Sequence, residues 1–400
     1  MNWELISFKN IKYLAFLIYF SGMYFGLPYA VQSISLFVLI TIIQLFTKGA
    51  NKLNAINKIL IIPIVFYLLH AISLFYSDNT ADAKFDLQVK LSFLILPLLF
   101  ALEKNENKID FSKLIKAYIY ISGLFSILLL ILNIIVYVQT GSFNYYMKFS
   151  VFMHPSYMAL YLAINVLFVS IESIKNKAIN PIYIASLLLS LTVIYFSESK
   201  AGLISVFALI IFVLYKSLYV RYKKQTIMAL GFIILGFSLL LVFNPRFKAL
   251  SYSLSNYEET FAHPEKVKES TALRILVWDA SIRIIKKNPV IGVGSGDIKD
   301  ELIKIYKERN YKMPLELQIN SHNQFLETTV GQGIIGLILL LSMLFIPLFI
   351  PLENKFLMQG FILIISINLL FESMFNTQAG VVFFAFIYSF IVSAKSKETT

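Results

Sequence analysis

Long apolar runs, separated by short polar segments, recur along almost the whole chain. An α-helix needs about 20 apolar residues to cross a bilayer, and most of these runs approach that length. Helices are the only plausible spanning form for this pattern, because each closes its own backbone hydrogen bonds. The pattern therefore predicts an all-α polytopic membrane protein with about 12 transmembrane helices. The predicted spans are residues 11–26, 28–46, 58–76, 89–102, 114–138, 155–173, 181–197, 201–219, 226–243, 329–350, 355–371 and 378–394.

Composition supports a membrane protein over a soluble one. Of the 400 residues, 58% are hydrophobic and 14% are charged, whereas a soluble domain averages about 25% charged residues. The chain has no cysteine, which excludes disulfides, thiolate catalysis and cysteine–zinc sites. Residues 1–10 lead directly into an apolar run without a small-residue cleavage site, so we expect the first helix to be retained.

Basic residues predict the orientation of the spans. With the N-terminus in the cytoplasm, the short outer loops carry only Lys84, Lys90, Lys148 and Lys200. Cytoplasmic loops are normally the basic ones, so we predict that both termini are cytoplasmic. The net charge of +12 is then explained by residues that flank spans, and nucleic-acid binding is not expected. The inner segments carry Lys9, Lys12, Lys48, Lys52, Lys58, Lys104, Lys108, Lys113, Lys116, Lys175, Lys177, Lys216, Arg221, Lys223, Lys224, Lys355, Lys395 and Lys397.

One long polar segment interrupts the apolar pattern near the end of the chain. It divides the chain into residues 1–243 with spans one to nine, an extracytoplasmic loop at 244–328, and residues 329–400 with the last three spans. Within the loop, apolar residues at helical spacing predict an amphipathic helix over 271–288. The stripe comprises Leu273, Leu276, Val277, Ala280 and Ile284.

His322 is the first candidate for chemistry, where the long loop re-enters the membrane. An imidazole exchanges a proton near neutral pH, so His322 could act as a base on a sugar hydroxyl, next to Asn323 and near Glu327. The alternative is an interfacial histidine that caps the next helix. His70 and His263 have no supporting group of residues and are interpreted as structural.

Lys200 and two arginines are candidates for binding an anion. Lys200 lies in a short hairpin at residues 197–202, where an ammonium suits a lipid-linked phosphate. A lysine that snorkels and pairs with Glu198 has the same pattern. Arg274 and Arg283 lie on opposite sides of the predicted loop helix, and both flank its apolar stripe. Either could bind a pyrophosphate bidentately or form a solvated basic face, and the spacing does not choose between them.

A further candidate opens the sixth predicted span. His154 and Tyr157, in the sequence HPSY, could shape an acceptor site, although the pattern is more typical of proline at a helix start with a polar cap. We find no phosphate-binding Walker loop, no GxSxG and no HExxH, and no paired outer carboxylates at metal-ligand spacing. A metal is therefore not predicted.

Together these segments resemble the O-antigen ligase / O-antigen polymerase family of bacterial membrane glycosyltransferases. The long loop between two late spans also matches the family, and the similarity is tightest over residues 150–340. Many members have arginine where this chain has Lys200. The matching segments are residues 154–157 (HPSY), 199–202 (SKAG), 274–278 (RILVW), 288–294 (NPVIGVG), 321–326 (SHNQFL) and 331–336 (GQGIIG).

The resemblance implies a metal-independent enzyme without a cofactor, with a glycosyltransferase-C-like bundle and a periplasmic active site in the bacterial inner membrane. Such enzymes take a glycan from undecaprenyl pyrophosphate. Ligases pass it to a lipid A core sugar, and polymerases pass it to another lipid-linked glycan. By this resemblance His322 activates the acceptor hydroxyl, while Arg274 and Lys200 hold the pyrophosphate. The candidate substrate-binding residues are Asn323, His154, Tyr157, Arg283 and Glu327.

Two other classes of function stay open. A transporter or flippase of lipid-linked sugars usually carries charges near the membrane midplane and shows inverted repeats. The predicted spans are almost free of charge and show no repeat, which favours the enzyme. A non-catalytic scaffold would leave the loop motifs unexplained.

Overall fold

The computed structural model describes residues 8–50, 57–103, 110–176, 180–218, 222–243, 248, 251–253, 255 and 257–394. Throughout these residues the regular secondary structure is helical, which confirms the predicted all-α class. Part of the basis for the predicted orientation lies outside the described residues, so the cytoplasmic position of the termini stays a prediction. The basic residues concerned are Lys52, Lys104, Lys108, Lys177, Arg221, Lys395 and Lys397.

Helices follow one another with short connections from the start of the described chain to residue 243. Apolar composition and length account for most of them, since lipid-exposed backbone must be hydrogen-bonded internally. They are α1 Phe8–Phe25, α2 Leu27–Lys48, α3 Ile61–Ser73, α4 Thr80–Lys90, α5 Ser92–Leu102, α6 Phe111–Thr140, α7 Tyr146–Phe149, α8 Pro155–Asn176, α9 Pro181–Phe196, α10 Lys200–Leu218 and α11 Lys223–Phe243.

The remaining helices belong to the polar segment and to the last apolar runs. The structure places a helix where the sequence predicts one in the loop, and the described residues show further helices on either side of it. In chain order they are α12 Tyr257–Ala262, α13 Ser270–Lys287, α14 Ile298–Glu308, α15 Lys312–Leu317, α16 Gln324–Phe349, α17 Lys355–Phe371 and α18 Gln378–Ser393.

Each predicted span coincides with helical residues, but not all of these helices have the length of a span. Within the described ranges, six helices are long and apolar enough to cross a membrane. The count of about twelve spans, the outer position of the loop and the glycosyltransferase-C-like arrangement stay predictions. The six helices are Tyr29–Lys48, Thr80–Leu102, Phe111–Thr140, Pro155–Lys175, Lys200–Ser217 and Gln324–Phe349.

The fourth predicted span is the clearest change of boundary. The sequence predicts residues 89–102, whereas the helical run in the structure extends over Thr80–Leu102. Its first half is polar and was therefore excluded by the apolar pattern. Two of its charges are compensated, because Lys90 pairs with Asp86 and His70 Nδ1 lies 2.8 Å from the same carboxylate. Paired charges are tolerated at such depth, where isolated ones are costly.

α18 forms the centre of the bundle, and every residue from Gly380 to Ser393 in it is buried. Helices in lipid gain little from the hydrophobic effect, so close packing and hydrogen bonds between helices hold them together. Asn165 of α8 is an example, because its Nδ2 atom donates to the hydroxyls of Ser186 and Ser190 at 2.9 Å each. Such bonds contribute about 0.6 kcal/mol each on average.

The polar segment folds around a small core of its own. The predicted stripe of α13 is buried, and four of its residues pack with residues of α14 and with Tyr311 and Val330. The segment after α13 then binds α16 through its backbone, with Val293 N donating to the Val330 carbonyl at 2.9 Å. Gly333 interrupts the helical dihedrals of α16, with φ 60° and ψ −157°. The break exposes amide groups of α16 to the loop, and Ile334 N donates to the Pro289 carbonyl at 2.9 Å.

Candidate active site

His322 lies in the tight turn that enters α16. Its φ of 43° is in the left-handed region, which non-glycine residues adopt at a cost of about 1–3 kcal/mol, and such strain concentrates at functional sites. The turn is held from both sides. His322 N donates to Asn320 Oδ1 at 2.9 Å, and Asn323 Oδ1 accepts from the amides of Phe325 and Leu326.

The His322 ring faces the carboxylate of a residue that lies later in the chain, beyond the last of the sequence motifs. His322 Nδ1 lies 3.1 Å from Oε2 of Glu372, the residue that follows α17. An ionised carboxylate can only accept, so Nδ1 carries the proton and Nε2 keeps its lone pair in the neutral ring. The side chain of His322 is 35% exposed, and an accessible imidazole in this tautomer is suited to take a proton from a bound hydroxyl.

Glu372 is ionised at neutral pH despite its burial. Burial by itself raises the pKa of this carboxyl, but the hydrogen bond from His322, the charge that the His322 ring carries when it is protonated, and the charge of Arg274 outweigh burial, and the net pKa lies below its usual range. Ser156 Oγ also donates to Glu372 Oε1 at 3.2 Å. Glu372 therefore joins α17 to the start of α8, to α13 and to the His322 turn.

Arg274 brings a positive charge to the same carboxylate. Its Nη2 atom lies 3.4 Å from Glu372 Oε1, and the two side chains are only 18% and 16% exposed. Charge-assisted hydrogen bonds are normally about 2.7–2.9 Å long. The guanidinium is therefore held near Glu372 by a loose contact, and it keeps donors that can bind an incoming anion.

Lys200 contacts the N-terminal end of α13, on the side of the helix that carries Arg274. The lysine begins α10, and its Nζ atom donates to Thr271 Oγ1 at 2.8 Å and lies 3.8 Å from Glu269 Oε1. Glu269 in turn accepts from the amides of Thr271 and Ala272 and so caps α13. Burial by itself raises the pKa of Glu269, but hydrogen bonds from Ser253 and these amides, with the charge of Lys200, leave it lowered.

The structure thus brings Lys200, Arg274 and His322 to one side of α13. Thr271 and Arg274 are three positions apart on the helix, which places their side chains on neighbouring positions of one face. Lys200 contacts Thr271, whereas Arg274 and His322 both contact Glu372. These contacts place two basic side chains and one imidazole along the same side of α13, and the catalytic and binding roles of the three residues stay predictions.

The HPSY segment adjoins the same carboxylate. His154 Nδ1 accepts from the Ser156 amide at 3.3 Å when its ring is neutral, and a positive charge on the same ring, when it is protonated, lowers the pKa of Glu372. Tyr157 directly follows Ser156 in the sequence, and its hydroxyl lies 2.6 Å from Thr377 Oγ1. His154 and Tyr157 accordingly lie beside the site and can contact a substrate that extends from it.

Glu327 and Asn323 have structural contacts instead. Glu327 is buried, accepts from the Ser321 amide at 3.0 Å, and accepts from Asn376 Nδ2 at 2.5 Å. Asn323 caps α16, and its own amide donates to Ser373 Oγ at 3.3 Å. These bonds hold the His322 turn against the segment that carries Glu372, and the predicted substrate-binding role of both residues stays a prediction.

Arg283 lies away from the cluster. Its Nε atom donates to Asp279 Oδ2 at 2.7 Å, and Tyr311 donates to the same oxygen, also at 2.7 Å. Nine positions along a helix rotate a side chain by about 180°, which separates Arg283 from Arg274. The structure therefore distinguishes two arginines that the sequence pattern leaves equivalent.

Glu372 is the residue that sequence reasoning missed as part of the site. The available signal was a lone carboxylate directly after a long apolar run, at residues 371–373 (FES). Ionisable residues at the ends of apolar spans are functional candidates by default. Neither the identity of the partner nor the distance could be read from spacing, because His322 and Glu372 are 50 residues apart.

The described residues contain no group of three or more His, Asp or Glu side chains placed to hold a metal ion. The positive charges that they bring to the candidate site are those of Lys200 and Arg274. A pyrophosphate is the kind of anion that a lysine and an arginine in this arrangement can bind together.

Comparison with known proteins supports the family resemblance. Residues 185–341 match the family model described as O-antigen ligase, which confirms the resemblance that the motifs predict. An uncharacterized protein of Haemophilus influenzae is 28% identical over 137 residues, and the alignment covers 33% of this chain and 33% of that protein. The chain thus spans about a third of the length of that relative. The match shows similarity to the O-antigen ligase family over residues 185–341.

Proposed function

Because residues 185–341 match the O-antigen ligase family, we propose that this chain transfers a glycan from undecaprenyl pyrophosphate to a sugar hydroxyl. The acceptor is a lipid A core sugar if the enzyme is a ligase, and a second lipid-linked glycan if it is a polymerase. The proposed site faces the periplasm in the bacterial inner membrane, with both termini in the cytoplasm. The observation that carries the proposal is the convergence of Lys200, Arg274 and the His322–Glu372 pair on one side of α13.

In the proposed reaction, His322 Nε2 takes the proton from the acceptor hydroxyl as its oxygen attacks the anomeric carbon. The bond from that carbon to the pyrophosphate oxygen breaks, and its electron pair leaves with the pyrophosphate. Direct displacement of this kind inverts the anomeric centre. A positioned general base of this type typically contributes about 10²–10⁴-fold to the rate.

The two cations neutralise the charge that grows on the leaving group. Lys200 and Arg274 are largely buried, and fixed charges in a partly dry site stabilise a developing anion better than water does. Glu372 holds the His322 ring in the tautomer that leaves Nε2 free of its proton. It also favours the imidazolium that forms after proton transfer, because an adjacent anion stabilises a cation.

A reconstituted transfer assay tests the proposal. Purified protein in liposomes receives the lipid-linked glycan of its host and an acceptor lipid, and new glycosidic bonds are measured. We expect the wild type to transfer glycan and His322→Ala to lose at least about 100-fold of the rate. His263→Ala is the matched control, since His263 lies in the same loop, is 55% exposed and pairs with Glu265, and it should transfer normally.

Normal transfer by His322→Ala would contradict the proposal. Movement of lipid-linked glycan across the liposome membrane without new glycosidic bonds would instead favour a flippase. Deletion of the gene and gel analysis of the lipopolysaccharide then separates the two enzyme types. Loss of all glycan on the core indicates a ligase, and a single repeat unit on the core indicates a polymerase.

A further inference from the structure

Two buried N–H donors on α13 lack a hydrogen-bond partner among the residues that the structure describes. They are Nε of Arg274 and Nε1 of Trp278. Buried donors are nearly always paired in native proteins, and an unpaired one costs about 1–3 kcal/mol. The two residues are four positions apart, so their side chains lie one above the other on one face of the helix. Two unpaired donors side by side are available to a ligand that brings oxygen acceptors.

The contacts on either side of Trp278 show where that ligand would lie. One turn before it, Arg274 contacts Glu372 at 3.4 Å. Less than one turn after it, Ser281 Oγ donates to Ser321 Oγ at 3.0 Å, and Ser321 directly precedes the catalytic candidate in the sequence. Trp278 is therefore placed on α13 between the arginine contact and the turn that carries the proposed base.

The indole offers the two surfaces that a sugar ring needs. Trp278 is half-buried and packs against the loop core, so its position is held by apolar contacts. Its N–H is a donor at the edge of a flat apolar ring. Sugar rings present C–H groups on their faces and oxygen acceptors around their edges, and binding sites for such ligands combine apolar walls with a few placed polar groups.

We propose that Trp278 is the platform for the sugar attached to the pyrophosphate, and that its N–H donates to an oxygen of that sugar. The inference rests on the proposed function and deepens it. With the pyrophosphate between Lys200 and Arg274, the first sugar of the donor lies over the indole, and its anomeric carbon is beside His322. Trp278 is a positioning and specificity residue in this arrangement, since it touches the sugar and takes no part in proton transfer.

Intrinsic fluorescence gives a direct test with the site intact. The chain contains two tryptophans, so Trp3→Phe leaves Trp278 as the single emitter. We expect the host's lipid-linked glycan to shift or quench this emission, and undecaprenyl pyrophosphate without sugar to leave it nearly unchanged. The same response should persist in Trp3→Phe with His322→Ala, which binds donor without transfer. An equal response to both lipids, or none to the glycan while transfer proceeds, overturns the proposal.

Substitution of the platform gives a second, kinetic test. Trp278→Phe keeps a flat ring and removes the N–H, and loss of one such bond of about 1 kcal/mol corresponds to a KM for the donor raised about five- to tenfold. Trp278→Leu removes the ring as well and should raise KM further, with kcat less affected in both. Unchanged KM in Trp278→Leu contradicts the platform alone, whereas absence of transfer by the wild type contradicts the proposed function.

Discussion

Glu372 Oε2 lies 3.1 Å from Nδ1 of His322, although 50 residues separate them in the sequence. The contact joins the turn before α16 to the segment after α17, and it assigns the two ring nitrogens different tasks. Nδ1 is occupied by the carboxylate, and Nε2 is the nitrogen to which the proposed mechanism gives the role of base. In the proposed mechanism the pair depends on the negative charge of Glu372 and on the distance between its carboxylate and the His322 ring. Substitutions can change the charge and the distance separately.

Replacement of Glu372 tests the charge. We expect Glu372→Gln to slow glycan transfer by about 10²–10⁴-fold, since a neutral amide neither fixes the tautomer nor stabilises the imidazolium. Glu372→Asp keeps the charge on a shorter side chain and should lose less. The measurement is the initial rate in the liposome assay, with the thermal stability of each variant as a control for folding. A wild-type rate in Glu372→Gln would remove the carboxylate from the mechanism.

The two arginines of α13 form a matched pair for mutation. Arg274→Ala should reduce transfer at least about 100-fold, because it removes a charge that faces the leaving group. Arg283→Ala should transfer within about twofold of the wild type and lose at most about 1 kcal/mol of stability, since its pair with Asp279 is half exposed. Equal losses of transfer in both variants would show that the anion does not bind on the Arg274 side.

Substitution of Gly333 tests how the loop is attached to α16. A methyl group at this position would lie 2.2 Å from the Val290 carbonyl oxygen, and its φ of +60° disfavours other residues. Gly333→Ala should therefore destabilise the protein by about 1–3 kcal/mol and loosen the loop. Gly231→Ala is the control, since nothing lies within 4 Å of the new methyl, and this helical position should gain about 0.5–1 kcal/mol. Thermal unfolding in detergent measures both, and an unaltered Gly333→Ala protein would contradict the close contact.

We expect the stability of α13 to depend on pH through the ionisation of Glu269. Its pKa is lowered from 4.5, so its contribution is fully present above pH 4.5 and is lost as the pH falls through the lower folded value. Glu269→Gln should be less stable than the wild type near pH 6, by about 1 kcal/mol for a lost cap. The difference should shrink below pH 4. Denaturant unfolding at both pH values checks this, and a difference that does not change with pH would argue against an ionised cap.

Several features of the protein follow from the order of residues alone. Runs of apolar residues determine where helices form, because backbone in lipid must close its own hydrogen bonds. The apolar stripe likewise predicts the loop helix, which the structure places at Ser270–Lys287. The first half of the helical run at Thr80–Leu102 escapes the same reasoning, since charged residues interrupt its apolar pattern and one partner of Asp86, His70, lies in another helix.

Only the tertiary structure decides which side chains meet. Helical spacing sets Arg274 and Arg283 on opposite sides of α13, but the packing of α13 against α16 and the end of α17 selects Arg274 for the site. Glu372 joins His322 for the same reason, since two distant segments are brought together by contacts far apart in sequence. Local periodicity carries information over a few turns of chain, whereas the distance between groups 50 residues apart depends on the packing of the whole bundle.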